Sequence, residues 1–299
     1  MEDVTSKKRV REEEADGFEL TFDSTSSLRI LVDVVASLLS RAEFHVSRME
    51  GGDGLLTVEA IDPKKVCYVV AHLQCGLGKY AGSPCFTVNT DDLSKCLKTV
   101  PQHYAVSISD AINSVQMRAY EALSGASYMM NFDISTMVSD EKSVKLMQQD
   151  YDHEIEMDTG TLRNIVKNCI SLRGTDLTMK VQNKKTSEKS SHMILTISAE
   201  GTTVKQEHVF HSKRVWREDG SSVIQTEHET AVSPSKDCEF EVCFEECYSA
   251  QYLSLFLKNL DRHALTMRLQ KNKPLILTFP LGGRDGSFVS LVLAPRSDV

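Results

Sequence analysis

The side chains of this chain that could do chemistry are its thiols, its imidazoles and a set of lysines and arginines spaced by helical turns. Eight cysteines are present, none in a C-x-x-C pair, and only Cys238, Cys243 and Cys247 cluster. A structural zinc site takes four ligands and usually opens with a close pair, so this cluster does not read as one. Cys67, Cys96 and Cys169 sit among apolar neighbours and read as reduced core thiols. His153, His208, His211, His228 and His263 lack metal-ligand spacing; His208 and His211 stand three apart on an expected strand, hence on opposite faces. "GGDG" (51–54) and "LGGRDG" (281–286) are glycine-rich. Neither leads from a strand into a helix or carries a following Lys-Ser/Thr, so both read as hairpin turns. No pair of carboxylates is placed in a cleft. The expectation is a non-enzyme with no catalytic residue, metal or cofactor. A metal-dependent nuclease is the remote alternative, requiring a buried Asp/Glu cluster.

The cations are more informative. In "DTGTLRNIVKNCISLRG" (158–174), Leu162, Ile165, Val166, Cys169 and Ile170 fall on one helical face. Arg163, Asn164, Lys167 and Asn168 fall on the other, with no acid among them. The same split recurs in three further amphipathic segments. Arg29 leaves the apolar side of 26–41, Lys95 and Lys98 stand off the Leu93/Cys96/Leu97 face of 91–100, and Lys258 faces away from Leu253 and Phe256 in 249–263. Any one of these reads as a solvated helix face. The set is less ordinary, because the chain carries a formal charge of -8 while these four helical segments together carry about +4. Packed side by side, their polar faces form one basic track on an acidic body, suited to phosphates rather than to base edges.

The elements that must position this track appear twice. At 299 residues the chain suggests two domains. Each half reads strand, helix, three or four strands, helix, strands. This is a duplication of topology more than of residues. Residues 1–16 read as a disordered charged tail. Within it, "KKRVR" (7–11) reads as a nuclear import signal or as a solvated basic run. The first domain is expected at 17–132, an inter-domain connector at 133–150 and the second domain at 151–299. Two polar segments interrupt the second: "QNKKTSEKSSH" (182–192) as a hairpin tip and 211–237 as an exposed insertion. No apolar run approaches the roughly 20 residues of a membrane span.

Several segments, in their order and spacing over 17–297, resemble the DNA sliding clamps of the proliferating cell nuclear antigen family. "LSKCLK" (93–98) is similar to the family's second helix, "QQDYDHEIEMDTGTLRNIV" (148–166) to the opening of its second domain and "YLSLFLK" (252–258) to its last helix. "KPLILTF" (273–279) and "LAPR" (293–296) resemble its closing strands, and "EAIDPKKV" (59–66) its apolar-Asp-x-x-x-Val turn. The resemblance implies an α+β clamp fold with two topologically similar domains, helices lining a central hole, β-sheets outside, and three chains closing head to tail into a homotrimeric ring. It implies double-stranded DNA as a sequence-independent partner, a DNA polymerase and other PIP-box proteins on the outside, a separate ATP-dependent clamp loader, and a nuclear or viral replication site. Arg29, Lys95, Lys98, Lys167 and Lys258 match basic inner-ring positions; Ile30, Ala36 and Asn164 stand where the family often keeps cations, with Arg163 beside the last. The partner-peptide groove maps to Ile61, Tyr68, Phe132, Ile134, Pro274, Val292, Ala294, Pro295 and Arg296. Trimer contacts map to edge strands within 114–122 and 204–212. A heterotrimeric checkpoint-type clamp and a non-ring viral processivity factor share the resemblance.

Overall fold

The computed structural model describes residues 17–121, 129–138, 151–184, 193–201, 203–216, 222–227, 240–260, 263–282 and 286–296. The expected tail with its "KKRVR" run, most of the connector and the tip of the 182–192 hairpin lie outside them. The N-terminal half runs β1 (Phe18–Phe22), α1 (Ser26–Leu38), β2 (Arg41–Arg48), β3 (Gly54–Ile61), β4 (Cys67–Tyr80), β5 (Cys85–Asn89), α2 (Thr90–Thr99), β6 (Ala105–Ala111), β7 (Ser114–Tyr120) and β8 (Met129–Met137). The C-terminal half runs β9 (His153–Asp158), α3 (Thr159–Ser171), β10 (Asp176–Lys184), β11 (Met193–Glu200), β12 (Lys205–Trp216), β13 (Ser222–Glu227), β14 (Phe240–Ser249), α4 (Ala250–Leu257), β15 (Ala264–Leu269), β16 (Leu275–Pro280) and β17 (Phe288–Leu293).

The duplication is one of strand pairing. In the first half β2 pairs with β3 and β5, β3 with β4, β6 with β1 and β7, and β7 with β8. In the second half β10 pairs with β11 and β14, β11 with β12, β15 with β9 and β16, and β16 with β17. The halves differ where their strands close: β5 pairs with β8, and among the described residues β14 makes no matching pair with β17. The far end of β4 pairs directly with β1, whereas β13 is interposed between β12 and β9. Alternating burial along β3 (Leu56, Val58 and Ala60 buried, Leu55, Thr57 and Glu59 half-buried) shows the period-2 signature of a sheet with one face on a core.

Three sequence expectations change. Residues 133–137, expected in the connector, are the second half of β8, because their side chains alternate against β7 and the strand ends on β5. Residues 211–216 and 222–227 of the expected insertion are the paired strand ends of β12 and β13. The expected edge at 114–122 is interior: β7 is flanked by β6 and β8. The remaining edge belongs to β8.

All four helices start where a turn residue breaks from a strand or loop. Asn89 caps α2 by accepting from the Asp92 N–H (3.1 Å), and Asp158 caps α3 by accepting from the Thr161 N–H (2.7 Å). Thr25 stands at the N-cap of α1, but its hydroxyl donates to the Pro101 carbonyl instead of capping the helix. Two helices end earlier than expected, since Arg41 opens β2 and α4 closes in a turn at Lys258. The helices pack in one row, α2 on α1, α1 on α4 and α4 on α3. The Ser37 hydroxyl donates to the Leu255 carbonyl (2.9 Å) and the Asn259 amide to the Asp33 carbonyl (2.9 Å), tying the halves at the middle of the row. Among the described residues no helix is long and apolar enough to cross a membrane.

A single seam joins the two sheets. β17 runs antiparallel to β4 over six residue pairs, from Phe288↔His72 to Leu293↔Cys67. By the internal repeat β17 corresponds to β8, and β4 to β12. Among the described residues neither counterpart makes this pairing. Among the described residues no strand pairs with the outer side of β8 over 129–135 or with the second side of β12 over 205–210, and Met129 is 55% exposed.

Candidate functional site

Side-by-side packing sets the four helices in one row, but it does not leave their cations equally available. Asp33 of α1 takes two of them. The Arg29 Nε lies 3.9 Å from Asp33 Oδ2, and Lys98 reaches across from α2 to place Nζ 3.2 Å from Oδ1. The Ser94 hydroxyl donates to the same oxygen at 2.5 Å. Lys95 sits 3.4 Å from Asp92 one turn away, an exposed pair worth well under about 1 kcal/mol that a phosphate can displace. Lys167 and Lys258 are exposed and, among the described residues, have no ion-pair partner.

Arg163 is a correction. Expected on the wet face, it is half-buried, and its guanidinium donates to the carbonyls of Leu257 (2.9 Å from Nε) and Leu260 (from Nη2). These carbonyls close the C-terminal end of α4, where orphan acceptors and the helix dipole favour a cation. Arg163 is therefore a brace between α3 and α4. We expect Arg163→Ala to cost about 1–3 kcal/mol in urea unfolding, because the Leu260 carbonyl loses the guanidinium and the Leu257 carbonyl keeps only a 3.4 Å bond from the Leu260 N–H. The salt dependence of DNA binding should stay unchanged.

On the opposite side of the seam, strand register assembles an apolar row. Ile61 of β3 faces Tyr68 of β4, Tyr68 faces Val292 of β17, and Val292 faces Ile276 of β16. Pro274, Ala294 and Pro295, all half-buried, lie at the end of this row, and the Ala294 N–H donates to the Val66 carbonyl (3.0 Å). Strand register thus sets Ile61, Tyr68 and Val292, far apart in sequence, side by side. Arg296 is close in the chain but committed elsewhere. Its Nη1 is 2.7 Å from Asp176 Oδ2, and its backbone N–H donates to the Cys247 carbonyl. Phe132 and Ile134 do not join the row. They are β8 residues paired with Met117 and Val115, four strand steps from β4 by either route around the sheet.

The turn that presents Ile61, Val66 and Tyr68 is held by Asp62, only 3% exposed. Its carboxylate accepts from the backbone N–H groups of Cys67 (2.7 Å), Val66 (2.7 Å) and Lys64 (3.1 Å). The fourth donor is the Tyr252 hydroxyl on α4, at 2.6 Å, from the other half of the chain. Burial by itself would raise the Asp62 pKa. The hydrogen bonds, Tyr252 first among them, outweigh burial and hold it below the ordinary carboxylate value. Burial, and then the bond to Asp62, push the Tyr252 phenol up, so it stays a donor.

Sequence reasoning missed Asp33, Val66, Tyr252 and Ile276 as parts of these sites. An aspartate opening a turn before two lysines did signal an Asx-type turn. Nothing local signals a tyrosine 190 residues later as its fourth donor.

No family model matches the sequence, and no curated protein matches it significantly. Similarity emerges in three dimensions. The PCNA of Thermococcus kodakaraensis superposes with a TM-score of 0.69 at 19% identity, over 93% of this chain and all of that one. The proliferating cellular nuclear antigen of Entamoeba histolytica superposes with a TM-score of 0.69 at 16% identity, over 94% of this chain and 99% of that one. The doubled strand pairing, the row of four helices and these whole-chain superpositions agree that this chain has the PCNA-like clamp fold, in a widely diverged sequence.

Proposed function

We propose that three copies of this chain close head to tail into a ring around duplex DNA, acting as a sliding clamp that tethers a DNA polymerase and other replication and repair proteins. The observation that carries this reading is the seam. A six-residue antiparallel pairing joins β17 to β4 inside the chain, and among the described residues no such strand pairing is made by the edges that repeat them, β8 and 205–210 of β12. A head-to-tail contact closes a ring where its rotation divides a full turn and otherwise grows a filament, and in this reading the repeated seam does the former. Open edges of this kind otherwise invite aggregation, which argues that they have a partner.

In such a ring the helix row faces the hole, with Lys95, Lys98, Lys167, Lys258 and Arg29 toward the phosphates. No base edge is read, so binding is independent of sequence and falls with salt. The outer row of Ile61, Tyr68, Val292 and Ile276 is the docking groove for PIP-box peptides, whose apolar anchors need such a surface. Residues 139–150 then connect the halves. An ATP-dependent loader opens the ring, and the nucleus, or a viral replication site, is its place of work.

Light scattering across a dilution series tests the ring. A stable species near three times 33.4 kDa, unchanged on dilution, is the expected result. A monomer or dimer would leave the fold intact and rule out the self-sufficient ring. It would favour a hetero-ring with sister subunits or a non-ring processivity factor.

A further inference from the structure

The solvent face of the N-terminal half carries a constellation that the clamp reading does not use. His45 on β2 lies directly across the sheet from Cys85 on β5. Glu43, two residues before His45, shares its face because strand side chains alternate. Burial confirms the alternation: Ala42, Phe44 and Val46 are in the core, Glu43 and His45 are half-buried, and Cys85 is exposed. His45 Nε2 lies 3.3 Å from Glu43 Oε1. One ligand atom from each of the three residues falls within 4.8 Å of the others. Among the described residues no other trio of histidine, cysteine and acidic side chains meets that geometry.

We propose that Glu43, His45 and Cys85 form a Zn²⁺ site with three protein ligands and a fourth position open to water. Sulfur, imidazole nitrogen and carboxylate oxygen form a donor set that suits zinc, whereas magnesium and calcium select oxygen donors. Tetrahedral zinc at ordinary bond lengths sets its ligand atoms about 3.3–3.8 Å apart. Closing from the present separations takes side-chain rotation of about 1 Å and no movement of the strands, whose register already fixes the three Cα positions.

Zn²⁺ offsets the Glu43 carboxylate's charge and displaces one proton. The S–H bond breaks, the proton goes to buffer, the sulfur lone pair binds the metal, and nothing is oxidised or reduced. The alternative is a surface Glu–His pair, which contributes little on its own. That alternative gives the exposed thiol at the third corner no role.

The test uses the full-length reduced chain with Zn²⁺ alone in competition with a chromophoric chelator, and with Co²⁺ as a spectroscopic substitute. Wild type should bind a zinc that Cys85→Ser and His45→Ala each weaken at least about tenfold. The thiolate-to-cobalt charge-transfer band of wild type should vanish in Cys85→Ser. Glu43, His45 and Cys85 lie on the solvent face, so both variants should melt like wild type in the absence of metal. Should wild type fail to bind zinc, or should Cys85→Ser match it in affinity and cobalt spectrum, the site does not exist. Neither ring closure nor DNA enters the measurement, so its outcome is separate from that of the clamp reading.

Discussion

Asp62→Ala is expected to destabilise the chain by about 3 kcal/mol or more, because the loss leaves several donors without their acceptor. Three of them are backbone N–H groups of one turn, and the fourth is the Tyr252 hydroxyl from the other half. Tyr252→Phe removes only the longest-range of these bonds and should cost about 1–2 kcal/mol. In the double variant the two effects should not add, since they share one hydrogen bond. Urea unfolding at pH 7 measures all three.

The pH dependence follows from the sign of the shift. The Asp62 pKa is depressed in the folded state, so its contribution is fully present above the unfolded value of about 3.9. It is lost as pH falls through the lower, folded value. The stability gap between wild type and Asp62→Asn should therefore be widest near neutrality and shrink below about pH 4. A gap that stayed constant to pH 3 would mean that turn geometry, and not the charge, holds this site. The consequence reaches the proposed groove, because Ile61, Val66 and Tyr68 flank the turn that Asp62 closes. Peptide affinity should drop in Asp62→Ala even at temperatures where the variant remains folded.

The second large effect concerns the helix row. Lys167→Ala with Lys258→Ala removes the two exposed lysines that have no ion-pair partner among the described residues. Each phosphate left without its lysine lowers the slope of log affinity against log salt by about 0.9. The proposed ring of three copies would multiply the effect. Its lifetime on circular duplex DNA at 0.15 M salt should shorten by about tenfold or more, with native mass unchanged. Full processivity of the double variant in primer extension would sink the basic track.

Asp33→Asn should act in the opposite direction. It releases Arg29 and Lys98 from the carboxylate that now holds both, so the salt slope should steepen. The comparison separates charge from structure: Asp33→Asn and the lysine pair both alter helix-row cations, but only a phosphate-facing track moves the slope in opposite directions.

The sequence by itself determined what depends on short-range periodicity. The 3.6-residue spacing of Leu162, Ile165, Val166 and Cys169 could bury only one face of α3, and the structure buries all four. Ile170, at the margin of the same stripe, stays 44% exposed because the row of helices is narrower than the apolar sector. The doubled order of elements was legible for the same reason, since each strand and helix is written in local alternation. Caps at Asn89 and Asp158 are equally local.

What the tertiary structure alone decided is long-range register. Arg163 has the chemistry of a phosphate ligand, but it became a brace because α4 ends against it. Phe132 and Ile134 have the chemistry of groove anchors, but the pairing of β8 with β7 carries them to an edge. His45 and Cys85 are 40 positions apart, and only the register of β2 on β5 makes them neighbours. A side chain's chemistry is fixed by its type. Its partner is fixed by which strands and helices pack together, and that is a property of the whole core and of no local stretch of the chain.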